Sequence, residues 1–262
     1  MNLGLDGRVA LVCGASKGMG FASAKALAKH GVKVLMVARD PSALEAAAKS
    51  IADEGGVVEA YSGDVSNPEL AQLAVGRCNA LWGPVDILIN NAGGPPMGSF
   101  LEHDSKAWDA SIQANLLSVV RFCKAVAPDM KANKWGRIIS ITSTVAKEPS
   151  PTMVLSATTR AGVSAFSKTL AIELAQFNIS VNVICPGGVL TDRLVGLLQA
   201  RADREKREYQ ELLQESLASI PAKRFAEPEE IADVILFLAS DRGGYVNGVS
   251  LSVDGALTKA YS

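Results

Sequence analysis

The apolar residues of this chain gather in seven short runs, at 9–13, 32–37, 57–61, 87–89, 138–142, 181–184 and 249–253. They are rich in valine and isoleucine and lack clean alternation with polar residues. Each therefore predicts a strand covered on both faces, as in a parallel sheet between crossover helices. The stretches between them are rich in alanine and long enough for helices, which predicts a doubly wound α/β architecture with 1–262 as a single domain. Proline marks several helix starts, where its missing N–H costs nothing: Asp40-Pro41 opens a helix over 41–53, Asn67-Pro68-Glu69 a second, and Glu227-Pro228-Glu229 a third.

One segment departs from this rhythm. Over 191–220 the chain becomes strongly charged while Leu194, Leu197, Leu198, Leu212, Leu213 and Leu217 keep roughly helical spacing. This predicts one or two amphipathic helices standing off the core. They read either as a solvated face or as a helical lid, since an insert after the penultimate strand sits beside the strand ends where such folds bind ligands.

Composition narrows the function. A chain of 262 residues buries most of its surface without disulfides. With 26 Lys and Arg against 27 Asp and Glu, the net charge is −1, so no basic excess points to nucleic acid or anionic lipid. The apolar residues lie in short runs such as 32–38 and 234–239, which fall far short of a bilayer. The start runs straight into a strand-like segment without the zones of a signal peptide, and the expected location is cytoplasmic. Cys13, Cys78, Cys123 and Cys185 lie far apart in apolar surroundings, as buried thiols do. His30 and His103 share no ligand spacing, so no metal site is expected.

Directly after the first run comes Cys13-Gly14-Ala15-Ser16-Lys17-Gly18-Met19-Gly20, followed by a helix over 21–29. Glycines here allow a tight turn and close approach to a pyrophosphate, while the helix start offers free N–H groups to the phosphates. Further along stand Gly63-Asp64-Val65, Asn90-Asn91-Ala92-Gly93, Asn115, Gly136-Arg137-Ile138-Ile139 leading to Ser143, and Pro186-Gly187 with Thr191. In this order the motifs resemble the short-chain dehydrogenase/reductase family over essentially the whole chain, and its β-ketoacyl-carrier-protein reductase branch in layout. The resemblance implies a Rossmann-type seven-stranded parallel sheet and nicotinamide-cofactor binding. It implies that Asp64 and Val65 face the adenine, that Asn90, Asn91, Ala92 and Gly93 line the adenosine side, and that Pro186, Gly187, Val189 and Thr191 hold the carboxamide. The family's first motif usually begins with Thr, where this chain has Cys13.

The choice of cofactor follows from charge. An NAD enzyme of this type needs a carboxylate at the end of the second strand to accept from the ribose 2′-OH, and that carboxylate would repel a 2′-phosphate. The position in register is Ala38. Arg39 follows it and Lys17 lies in the glycine turn, so two cations are available to the 2′-phosphate of NADP(H). Asp40 reads as the cap of helix 41–53.

Reductases of this family pair a serine after the fifth strand with Tyr-x-x-x-Lys on the next helix. Here, in register with Ser143, the tyrosine and lysine positions read Ser156 and Arg160. Arginine can place a positive charge and a fork of donors at the ribose and at a developing oxyanion, but it stays charged and relays no proton; an aliphatic hydroxyl is a poor general acid. Three readings follow. The first is carbonyl reduction, with Ser143 and Ser156 on the substrate oxygen, Arg160 stabilising charge and a water chain near Asn115 supplying the proton. The second is conjugate reduction of an α,β-unsaturated carbonyl compound, where an enolate needs oxyanion stabilisation more than a strong acid. Lys147-Glu148-Pro149 and the charged insert resemble a divergent branch that includes conjugate reductases lacking the tyrosine. The third is a non-redox nucleotide-binding relative, against which the intact glycine motif argues. The loop 93–98 is expected to border the substrate, with Met97, Phe100, Met153, Val154 and Leu155 as pocket walls. The resemblance also implies a homo-oligomer, tetramer or dimer, paired through helices over 106–132 and 152–177.

Overall fold

In a computed structural model, which describes residues 2–260, all seven apolar runs lie in one sheet. The strands are β1 (Val9–Cys13), β2 (Lys33–Ala38), β3 (Val58–Ser62), β4 (Ile87–Asn90), β5 (Gly136–Ile141), β6 (Ile179–Pro186) and β7 (Ser250–Val253). Their order is β3-β2-β1-β4-β5-β6-β7, and every pair is parallel. Alternation of side chains divides β1 between two apolar layers. Ala10 and Val12 join Leu27, Leu44, Ile231 and Ile235 on one face, whereas Leu11 and Cys13 join Leu70, Phe122, Val126 and Ala171 on the other. Burial on both faces explains why the strands read as continuous apolar runs.

The helices covering the first face are α1 (Gly18–Lys29), α2 (Pro41–Asp53) and, from the chain's end, α9 (Pro228–Ala239); the second face carries α3 (Leu70–Leu81), α5 (Ser118–Asn133) and α6 (Val154–Leu174). Before α5, α4 (Ser105–Ile112) runs on through a π-helical turn at Gln113–Leu117. Two helix starts differ from expectation. α1 begins at Gly18 rather than residue 21, because packing of the helix end against β1 outweighs the poor helical propensity of its glycines. α3 begins at Leu70, because Asn67 Oδ1 accepts from the N–H of Glu69 and holds Pro68 in a preceding turn.

The chain leaves the sheet edge at β3 and re-enters at β4, beside β1. Connections from β1 and β4 therefore run in opposite directions, which opens a crevice at their carboxyl ends. The charged segment forms α7 (Asp192–Glu205) and α8 (Tyr209–Ser219). Its leucines build a small apolar cluster of their own, in which Leu198, Ile220 and Phe225 are buried. Its two stems are tied together, since Leu190 N–H donates to the Ala226 carbonyl at 2.8 Å and Ala226 N–H to Gly188 at 2.9 Å. Among the described residues no helix is long and apolar enough to cross a membrane.

Candidate active site

The crevice is built first by backbone. Gly14 leaves β1 with φ +61°, and a Cβ there would stand 2.6 Å from Asn91 Nδ2. Asn91 in turn donates from Nδ2 to the Gly14 carbonyl at 3.3 Å, so the turns after β1 and β4 are joined. A Cβ on Gly20 would collide with the Gly14 carbonyl oxygen. The glycines thus form a close-packed cradle with the α1 N-terminus behind it. On the other side, a Cβ on Gly18 would meet Thr191 Cγ2 at 3.2 Å, and Thr191 caps α7 by accepting from the Leu194 N–H. Pro186 ends β6, Gly187 packs against Asp254 of the turn after β7, and Val189 pairs with Ala226.

At the far end of the crevice Asp64 accepts from both the N–H and the hydroxyl of Ser66, at 2.9 and 2.8 Å. Burial alone would raise its pKa, but these hydrogen bonds and the charge of Arg39 outweigh burial and hold the carboxyl below its usual range. Arg39 and Asp64 are therefore neighbours. Asp40 is occupied elsewhere, accepting from the Ala43 N–H at 3.1 Å as the cap of α2. Lys17, the other expected cation, crosses the crevice to Asp192 at 3.0 Å, with side chains 72% and 78% exposed. Exposed pairs of this kind contribute little, about 0–1 kcal/mol, so Lys17 remains free to exchange partners.

Arg160 lies at the centre. It is on α6, one turn after Ser156, and donates from Nε to Ser156 Oγ at 3.1 Å and from Nη1 to the Ile141 carbonyl at 3.3 Å. Burial, and secondarily the charge of Arg193, pull its pKa down to about 10, with Cys185 acting in the opposite sense. It stays protonated at neutral pH. Ser156 is buried with 5% exposure. Ser143 ends the β5 segment and caps the following turn, accepting from the Val145 N–H at 3.4 Å.

Asn115 sits in the π-helical turn and donates to the Ser111 carbonyl at 3.3 Å. A single cavity of about 20 Å³ brings Asn115 together with Val65, Asn91, Ala92, Thr142 and Arg160. That space holds about one water, and its polar lining can satisfy it. Ser143 and Ser156 do not line this cavity; Ser156 joins it only through Arg160. The π turn rotates Asn115 inward in a way that regular helical periodicity would not show.

The expected pocket walls need correction. Met97 borders a larger cleft of about 510 Å³, with Pro96, Asp192, Arg193, Leu197, Ala200, Arg201 and Arg204. Phe100 points to solvent with 63% exposure, and Leu155 is wholly in the core because it occupies the sheet-facing side of α6. Met153 takes part through its backbone, in a bridge to Gly98. The cleft also contains residues that sequence reading missed. Arg193 and Arg204 follow Thr191 at positions that, with Leu197 and Ala200, fall on one face of α7. That helical spacing was the available signal. Arg193 donates from Nη2 to the Pro95 carbonyl at 2.7 Å; the residue as a whole is exposed, but its guanidinium is crowded enough that desolvation lowers its pKa.

Cys13, Cys78, Cys123 and Cys185 are all buried and free. Burial raises each thiol's pKa, for Cys78 and Cys123 to about 12, so these sulfurs are not nucleophiles at neutral pH.

The family profile described as short chain dehydrogenase matches residues 8–202. Among curated proteins, the chain is 34% identical over 257 residues to Oxidoreductase UcpA of Escherichia coli, covering 97% of this chain and 95% of that protein. It is 35% identical over 258 residues to the 3-oxoacyl-[acyl-carrier-protein] reductase FabG of Chlamydia muridarum, covering 98% of this chain and all of that protein (100%). Among solved structures, L-sorbose reductase from Gluconobacter frateurii, complexed with NADPH and L-sorbose, superposes with a TM-score of 0.94 at 34% identity, covering 99% of this chain and 100% of that one.

Proposed function

The chain belongs to the short-chain dehydrogenase family, and we propose that it is an NADPH-dependent oxidoreductase that reduces a carbonyl compound through a Ser-Ser-Arg site. The observation that carries this reading is the conjunction of a complete glycine cradle with Arg160, a half-buried cation whose Nη2 has no hydrogen-bond partner among the described residues. A non-redox role would not require both. The similar L-sorbose reductase is a complex with NADPH, which supports the cofactor assignment alongside Arg39, Lys17 and the commitment of Asp40 to its cap.

The residues present fit the group. Gly14, Ser16, Lys17, Gly18, Met19 and Gly20 would hold the diphosphate, Arg39 and Lys17 the 2′-phosphate, and Asp64 with Val65 the adenine. Asn91, Ala92 and Gly93 would line the adenosine side, and Pro186, Gly187, Val189 and Thr191 the nicotinamide carboxamide. When bound, the reduced dinucleotide supplies a hydride to the substrate carbon. This chain's own residues then have two tasks, to stabilise the oxygen that becomes negative and to deliver its proton. Ser143 and Ser156 donate hydrogen bonds to that oxygen while Arg160 adds positive charge, in a setting where such donors are worth far more than in water. The proton comes from water in the polar cavity at Asn115, since neither an aliphatic hydroxyl nor arginine is an adequate acid.

Conjugate reduction of an α,β-unsaturated carbonyl compound is the second reading. It is favoured by the absence of any phenol from the Ser156–Arg160 site among the described residues, because an enolate oxygen is stabilised by donors and needs no strong acid. Self-association through α6 forms part of the same proposal: Ile172 is 72% exposed on this helix. Sedimentation as a monomer at micromolar concentration would rule that out.

The deciding experiment follows NADPH consumption against matched saturated ketones and α,β-unsaturated ketones, with NADH as control and mass analysis of products. Alcohol formation supports the carbonyl reading, and saturation of the double bond moves the assignment to the second. A protein that fails to bind NADPH removes both.

A further inference from the structure

Two guanidinium groups brought close together repel each other, and a negative charge between them relieves the repulsion. Such a corner exists at Gly94. A Cβ built on this glycine would lie 2.8 Å from Arg193 Nη2 and 3.6 Å from Arg160 Nη2. The partners of both arginines among the described residues are neutral oxygens: Ser156 Oγ and the Ile141 carbonyl for Arg160, the Pro95 carbonyl for Arg193. Neither meets a carboxylate of the described residues.

The approach to this corner is also positive. The cleft of about 510 Å³ under α7 is lined by Asp192, Arg193, Arg201 and Arg204. Asp192 pairs with Lys17 in this structure and is left as the one free acid of the cleft's lining when Lys17 turns to a 2′-phosphate, whereas Arg201 is matched by Glu205 and Glu215 at 2.8 and 2.6 Å. Arg204 makes no ion pair among the described residues, although the Glu102 carboxylate lies near enough for the two charges to attract. Among the described residues, Arg193 at the mouth and Arg160 within are left with no acidic partner. A cleft lined by one sign of charge concentrates ligands of the other.

We infer that Arg193 and Arg160 together bind the carboxylate of an oxo-acid substrate, which enters through the cleft under α7. A guanidinium fork matches a carboxylate in two parallel hydrogen bonds, and the missing side chain at Gly94 is what admits the Arg193 guanidinium to the neighbourhood of Arg160. Arg204 acts at the entrance and affects the approach rather than the bound state. In a short oxo acid the carboxylate and the carbonyl oxygen are separated by only one or two carbons. Arg160 can therefore face the anion through Nη2 while the Ser156 side of the site faces the carbonyl. The inference rests on the reading of this region as the carbonyl site. It supplies the substrate class.

Binding and turnover are measured separately, so that the two readings fail differently. The protein is saturated with NADP⁺, which permits no reduction, and titrated calorimetrically with 2-oxobutyrate, acetoacetate and their methyl esters. At least one acid is expected to bind tenfold or more tightly than its ester. Arg193→Gln should reduce that ratio to below threefold, Arg193→Lys should retain part of it, and NADP⁺ affinity should change by less than threefold in both. Equal binding of acids and esters would overturn the inference, as would an acid preference that survives Arg193→Gln. So would a tenfold loss of NADP⁺ affinity with the preference intact, which would assign Arg193 to the cofactor. Acid-selective binding without any NADPH oxidation would leave this inference standing and refute the proposed reductase activity.

Discussion

Replacing Arg160 by Met should separate function from stability in an unusual direction. Burial of a residue normally means that its removal destabilises the fold. Arg160, however, is a cation whose pKa has fallen to about 10 because the protein desolvates it and Arg193 repels it. With each pKa unit equal to about 1.4 kcal/mol, holding the guanidinium charged in this setting costs on the order of 3 kcal/mol. The lowered pKa of a base also fixes the pH dependence. The penalty is present in full below about 10 and is relieved only as pH rises beyond that value, so at neutral pH the fold carries all of it. Against this stand two hydrogen bonds, to Ser156 Oγ and to the Ile141 carbonyl, each contributing about 1 kcal/mol.

The expected result for Arg160→Met is a thermal midpoint that is unchanged or raised by up to about 5 °C, taking about 2–4 °C per kcal/mol for a chain of this size. Activity should move the other way. Loss of a donor aimed at a developing oxyanion costs about 10²–10³ in rate, and loss of a charged contact to the cofactor ribose about 1.5–3 kcal/mol, or roughly 10- to 100-fold in NADPH affinity. The assays are a thermal melt, a fluorescence titration with NADPH, and single-turnover NADPH oxidation with the best carbonyl found. A fall in the midpoint of more than about 5 °C would show that Arg160 is a structural tie, contrary to the charge balance drawn here. Full turnover in the variant would remove it from catalysis.

Two further substitutions test the cofactor end. Asp40→Ala deletes the α2 cap and should cost about 1 kcal/mol of stability, seen as a lower urea midpoint, with the NADPH-to-NADH preference unchanged; a shift in that preference would place Asp40 at the ribose. The double variant Lys17→Ala, Arg39→Ala should raise the KM for NADPH at least tenfold and leave that for NADH nearly constant, each charge-assisted contact being worth about 1.5–3 kcal/mol. Equal effects on both cofactors would show that these cations do not read the 2′-phosphate.

The fold was legible because its signals are local and redundant. Valine- and isoleucine-rich runs bounded by turns can bury both faces only in a sheet flanked by helices, and each run forms its strand within one or two residues of the expected limits. Asp40 announces its helix by a cap that needs only three residues to operate. The glycine motif is legible for the same reason, since its constraint is a turn, a helix start and the close approach of Asn91. Leu155 lies in the core rather than in a pocket wall because a residue beside Ser156 on α6 can face either the crevice or the sheet, and a step of one residue changes its side. Asn115 faces the cavity through a π-helical turn, a feature to which regular 3.6-residue periodicity is blind.

The paired arginines show where local reading ends. Arg160 and Arg193 are separated by 33 positions, and each alone reads as an ordinary residue, one a family substitution, the other a charge in a charged helix. Their meaning depends on distance. The turn after β4 lies beside β1 because of the strand order, and α7 starts beside the glycine cradle because Thr191 packs on Gly18. Only when both connections close does Arg193 reach the Pro95 carbonyl and bring its charge to Arg160. Two of the insert's other arginines are absorbed by internal ion pairs: Arg201 and Arg207 both engage Glu205 and Glu215. Arg193 lies outside that network because it sits in the first turn of α7, on the side facing the loop at 94–97. A residue in that place is available to a ligand. The same insert that gives α7 and α8 their own apolar cluster thus brings Arg193 onto the loop at 94–97 and, across Gly94, beside Arg160.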